Sequence, residues 1–172
     1  MSKEPTQFWT ADEMQKIADT LIPQYHTHLE NFDVKVKYLF TNKVAKVKGK
    51  EVWGQVHKIT GRNAYLAKDN SDANPFFTIT VPKDIFDALP ESKKIALVDH
   101  YLCQCWAEVK QAKDEADLSQ DEVDDQIEAD NPVKLSVKPY DVEEFACIIK
   151  RHGLWREDVE EAVAKVLHPQ DT

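Results

Sequence analysis

Ile95-Ala96-Leu97-Val98-Asp99-His100-Tyr101-Leu102-Cys103-Gln104-Cys105-Trp106 is the stretch on which the fold turns. Its apolar residues recur at helical spacing, and Pro90 just upstream suits a first helical turn. The pattern predicts a central helix from near Pro90 to about Val109, with Ile95, Val98, Leu102, Cys105 and Val109 as its core stripe. His100 and Gln104, four residues apart, share another face and converge on one point between the helix and a sheet.

Upstream, Thr10 and Glu13 have capping-box spacing, with Trp9 placed as a hydrophobic staple. Met14, Ile17, Ala18, Leu21, Ile22, Tyr25 and Leu29 continue as a helix in which Pro23 is a kink or divide. Val34, Val36 and Tyr38 alternate with lysines, as on a strand with one wet face. Lys48-Gly49-Lys50 turns the chain before a strand through Val52, Gly54, Val56 and Ile59, and Gly61-Arg62-Asn63 reads as another turn. Residues 69–74 read as a loop. The run from Phe76 to Val81 is β-favouring, and a short helix is expected from Lys83 to Ala88.

Downstream, Val133, Leu135 and Val137 alternate as a strand. Asp141 and Glu144 have capping spacing ahead of Phe145, Ile148 and Ile149, and Gly153 is a C-cap. A last helix is expected from Arg156 to Leu167, with Val159, Val163 and Val166 inward and Pro169 beyond it. The expected architecture is a single α+β domain over residues 1–172. A small mixed or antiparallel sheet packs on the central helix, with further helices at both ends.

Composition narrows the function classes. The 172 residues are 42% hydrophobic and carry a net charge of -9. Most of that charge lies in residues 112–130, where Asp114, Glu115, Asp117, Asp121, Glu122, Asp124, Asp125, Glu128 and Asp130 face a single Lys113. Three readings of this segment stay open: a solubilising surface, a docking surface for a basic protein, and a mimic of the DNA phosphate backbone. Direct nucleic-acid binding is disfavoured because it needs a cationic surface. Lys35, Lys37, Lys43, Lys46, Lys48 and Lys50 read as the wet face of a hairpin, with contact to a polyanion as the alternative. No apolar run approaches the roughly 18 residues of a membrane span, and the first residues lack a secretory signal. Three cysteines, all in apolar patterns, read as reduced core thiols and point to an intracellular, cytoplasmic protein.

The central helix also carries a chemical question. A zinc peptidase helix has two histidines four residues apart, with a glutamate following the first. The histidines hold the metal and the glutamate takes a proton from its bound water. Here His100 is followed by Tyr101, and the second ligand position is Gln104.

Three segments together resemble the phage metallopeptidase family. They are Lys50-Glu51-Val52-Trp53-Gly54-Gln55-Val56 through Gly61-Arg62-Asn63-Ala64, then Asp99-His100-Tyr101-Leu102-Cys103-Gln104-Cys105, then Pro139-Tyr140-Asp141-Val142-Glu143-Glu144-Phe145 through Arg151-His152-Gly153-Leu154-Trp155. The family helix reads Asp-His-Glu-Leu-Cys-His-Cys, with a further histidine just before the Asp-Val-Glu-Glu-Phe run. The resemblance implies that His100 matches the first zinc ligand. Tyr101 stands in place of the catalytic glutamate, Gln104 in place of the second histidine, and Tyr140 in place of the downstream one. Cys103 and Cys105 match ordinary family positions.

Glutamine is a weak neutral ligand, and a phenol with a pKa of about 10 cannot serve as the base at neutral pH. The resemblance therefore implies a catalytically inactive phage or prophage protein of zincin-like fold, with no cofactor and no catalytic residue. It would act as a protein-binding module, with a host defence or nucleic-acid enzyme as one candidate target. Two alternatives stand beside it. One is a metal-dependent hydrolase with a rearranged set, His100 with Cys103 and Cys147. The other is an acidic DNA-mimic inhibitor of a DNA-binding protein.

The remaining candidates have structural readings. His57, His152 and His168 are isolated in sequence, and His152 is placed to complement a helix end. Glu143 and Glu144 point in different directions on a helix. A nucleophile built from Cys103 or Cys105 with His100 lacks an orienting acid. Trp53, Trp106 and Trp155 are expected in the core.

Overall fold

A computed structural model describes residues 4–67, 74–110, 133–139, 145–157 and 160. In chain order the elements are β1 (Phe8–Thr10), α1 (Asp12–Tyr25), α2 (Thr27–Asn31), β2 (Val36–Thr41), β3 (Ala45–Val47), β4 (Lys50–Val52), β5 (Gln55–Ile59) and α3 (Gly61–Leu66). There follow β6 (Phe76–Pro82), α4 (Lys83–Ala88), α5 (Glu91–Gln104), β7 (Cys105–Val109), β8 (Val133–Val137) and α6 (Ala146–His152). The fold is mixed α+β, as expected.

The main sheet has the order β1-β2-β6-β5. β1 and β5 pair antiparallel with their neighbours, whereas β2 and β6 run parallel, Val36 opposite Phe77 through Thr41 opposite Pro82. The sheet is thus mixed rather than wholly antiparallel. The long connection through β3, β4, β5 and α3 supplies the crossover that a parallel pair requires. Lys48 and Gly49 both take positive φ, 50° and 81°, in the two-residue turn that closes the β3–β4 hairpin. That geometry matches the right-handed twist of the paired strands.

Several local expectations give way to tertiary pairing. Trp9 and Thr10 form no capping box: both lie in β1, paired with Phe40 and Leu39, and Ala11 precedes α1 without a side-chain cap. The sheet has taken the backbone that the cap needed. The chain bends at His26, between α1 and α2, while Pro23 sits inside the last turn of α1. Gly61-Arg62-Asn63 opens the short helix α3 instead of forming a free turn.

The largest correction concerns the central helix, which stops at Gln104. Cys105, Trp106 and Val109 belong to β7, which pairs antiparallel with β8, Cys105 opposite Val137. Apolar residues at 105, 107 and 109 fit a strand period as well as part of a helical one. The partner strand decides: Cys105 and Ala107 are buried, and Val109 is exposed. Trp106 is half-buried outside the core, between Lys138 and the His28 ring. Trp155 is buried and meets Trp53 edge-on.

α5 is the centre of the molecule. Every residue from Ala96 to Leu102 is buried, so the helix is enclosed on all sides. Leu97, Val98 and Leu102 join Met14, Ala18 and Leu21 of α1 and Phe77, Ile79 and Val81 of β6 in one core. Asp99 and His100, both fully buried, are the polar exceptions on this helix. The Asp141–Glu144 cap, Tyr140, the acidic segment 112–130 and most of the expected final helix lie outside the described residues.

Candidate functional site

A carboxylate buried in an apolar helix must be paired, because an isolated charge is strongly disfavoured there. Asp99 is paired from three directions. The bend at His26 turns that ring inward, and its Nε2 lies 2.6 Å from Asp99 Oδ1. Arg151, near the end of α6, donates from Nη1 to both carboxylate oxygens at 2.7 and 2.6 Å. His152 places Nε2 2.8 Å from Oδ2. Burial by itself raises the Asp99 carboxyl, but the bonds to His26 and His152 and the charge of Arg151 outweigh it. The carboxyl is held below its ordinary value.

Asp99 and Cys103 stand one turn apart on the same face of α5. Cys103 Sγ lies 3.3 Å from Cys147 Sγ on α6, and neither is in a disulfide. Burial and the neighbouring Cys147 push the Cys103 thiol up. The donor atoms of His26, Asp99 and Cys103 all lie within 4.8 Å of one another. His100 is not part of this group. The structure therefore brings Cys103 and Cys147 together as the rearranged ligand set requires, but with His26 rather than His100 beside them.

His100 faces a different environment. Its ring lies 4.8 Å from Tyr101, 6.0 Å from Phe145 and 6.1 Å from Trp155, measured between centroids. Tyr101, 3% exposed, packs against Gly54 in the link between β4 and β5. A β-carbon on Gly54 would stand 2.7 Å from Tyr101 Cε2 and 2.9 Å from the Thr80 carbonyl oxygen, so only glycine fits. Gln104, at the end of α5, accepts the Lys138 N–H at its backbone oxygen.

A hydrolytic zinc needs about three strong protein donors and one open position. An imidazole within an aromatic cage, a packed phenol and an amide do not fit that requirement. Gly54 also lines an open cleft of about 280 Å³, together with Phe8, Thr41, Val52, Thr80 and Pro82, among others. Among the described residues, Lys43 is the single charged side chain along its wall, with no acid or imidazole for proton transfer.

Among the other candidates, His57 is exposed on β5. His152 stands in the last turn of α6, ahead of the Gly153 cap as expected, and also reaches Asp99. Lys37 donates to the Ala67 carbonyl oxygen at 3.2 Å, and Lys46 faces Glu51 across the hairpin at 4.0 Å, so part of the basic patch is engaged locally. His26, Asp99 and Arg151 carry no sequence motif and were not foreseen as a cluster. One signal was available: a charged residue in the middle of an enclosed apolar helix. Its partners lie 73 and 52 residues away and left no local trace.

A mixed α+β protein with a central zincin-type helix and an atypical His/Asp/Cys cluster is the class that fold and site define. The family model described as "Putative phage metallopeptidase" matches residues 6–166, and the chain belongs to that family. No curated protein and no solved structure matches it. Among the described residues, no helix is long and apolar enough to cross a membrane.

Proposed function

We propose that this family member has lost peptidase chemistry and serves as a protein-binding module in phage biology. The observation that carries the reading is the Tyr101–Gly54 contact. The residue matching the catalytic base is a buried phenol ring packed against Gly54, with no carboxylate to take a proton from water. The phage association comes from the family. The nine acidic side chains between Asp114 and Asp130 carry the charge to attract a partner with a basic face, in the cytoplasm of an infected host.

Peptidase assays on zinc-loaded full-length protein test the first part, with unfolded protein substrates and with His100→Ala as control. The expected result is no hydrolysis above background. Zinc-dependent cleavage that disappears in His100→Ala overturns it. Crosslinking in infected cells tests the second part: neutralising Asp121, Glu122, Asp124 and Asp125 together should remove the captured protein. An unchanged capture pattern rules the acidic surface out. If the partner is a DNA-binding protein held by mimicry of phosphates, capture should also fall steeply with salt.

The second reading is a hydrolase with a rearranged ligand set, favoured by the gathering of His26, Asp99 and Cys103. Against it, Asp99 is tied by Arg151 and His152 and is not free to act as a base for hydrolysis.

A further inference from the structure

Four metal-capable side chains from three elements meet on one flank of α5. Asp99 and Cys103 come from α5, His26 from the bend between α1 and α2, and Cys147 from α6. The His26, Asp99 and Cys103 donor atoms lie within 4.8 Å of one another, and Cys147 Sγ lies 3.3 Å from Cys103 Sγ. Zinc bonds of about 2.0–2.3 Å in a tetrahedron separate their ligands by roughly 3.3–3.8 Å. Shifts of about an ångström would bring the His26, Asp99 and Cys103 atoms to that spacing, and Cys147 enters as the fourth donor through its place beside Cys103. His26 and Asp99 are buried, Cys103 is half-buried and Cys147 is exposed.

We propose that His26, Asp99, Cys103 and Cys147 form a structural site for a thiophilic divalent cation of the zinc class. The site ties the α1–α2 bend and α6 to α5. An imidazole, a carboxylate and two thiolates suit such a cation and fill its four positions, leaving none open for water. Binding forms two metal–sulfur bonds and releases the two thiol protons to solvent. His26 gives up its Nε2–H contact with Asp99, the ring proton passing from Nε2 to Nδ1 so that the bare Nε2 binds the metal. Two thiolates, a carboxylate and a divalent cation leave one negative charge, which Arg151, bonded to both Asp99 oxygens, offsets. His152 holds the same carboxylate by Oδ2, the kind of outer partner that orients a ligand. The site differs from the His100 position in both residues and role. It stands whether or not the chain hydrolyses peptides.

Cobalt titration of the reduced, metal-stripped full-length protein tests it, followed by competition with zinc. The expected result is one cobalt per chain with thiolate-to-cobalt charge-transfer absorption, displaced by zinc. Cys147→Ser, at the surface, should fold normally and weaken binding by more than about tenfold. Cys103→Ser should abolish the charge-transfer band, and His100→Ala should leave it intact. No retained cobalt, or retained cobalt without thiolate absorption, overturns the site. So does binding that survives both cysteine substitutions, or that is lost in His100→Ala alone. A bound metal with no hydrolysis supports both proposals; a cysteine-dependent metal together with His100-dependent cleavage supports this site and removes the loss of peptidase chemistry.

Discussion

Tyr101 and Gly54 are fitted so closely that a single added methyl group at Gly54 would overlap the Tyr101 ring, at 2.7 Å from Cε2. The contact joins the centre of α5 to the link between two strands.

Gly54→Ala should therefore destabilise the fold by about 1–3 kcal/mol through overpacking. Equilibrium denaturation should show a lower midpoint with an unchanged slope. Tyr101→Leu in the same chain should recover part of the loss. The Thr80 oxygen, 2.9 Å away, is backbone and will not yield.

Arg151→Met removes the cation from a fully buried carboxylate. In metal-free protein this should cost about 3 kcal/mol, the scale for breaking a buried ion pair. Adding Asp99→Asn should reduce that cost, because the stranded charge is then gone. A double-mutant cycle measures the coupling. Additive effects would contradict the ion-pair account.

Burial pushes the Tyr38 phenol well above its ordinary value, and its hydroxyl has no hydrogen-bond partner among the described residues. The folded state thus holds the proton more tightly than the unfolded chain. This stability is fully present below pH of about 10 and is lost as pH rises past it. Tyr38→Phe should flatten the alkaline limb of a stability-against-pH curve. At neutral pH it should be neutral or stabilising, because an unpaired buried hydroxyl is removed.

The three thiols should separate in reactivity. Cys147 is exposed and should react first with a disulfide reagent. Cys105 is buried, its thiol pushed up by burial, and should stay protected until the protein unfolds. Mild oxidation of metal-free protein should join Cys103 to Cys147, with Cys105 free on peptide mapping. A disulfide containing Cys105 would contradict the observed packing.

The strands at Val36–Thr41, Phe76–Pro82 and Val133–Val137 were legible because alternation and β-branched runs are local properties. The helix C-cap at Gly153 was legible for the same reason: its φ of 68° is one that glycine adopts freely. The end of α5 was not. Cys105 and Val109 suit either period, and only β8, more than 20 residues further along the chain, selects the strand.

The departures at Tyr101 and Gln104 were also visible without coordinates, since a phenol and an amide lack the acid–base and metal-binding chemistry of the residues they replace. The companions of Asp99 were decided only by tertiary packing. His26, Arg151, His152 and Cys147 reach that flank of α5 because a bend and a second helix deliver them there, from up to 73 residues away. Local periodicity determines which faces are apolar. It carries no information about which distant polar groups will meet inside them.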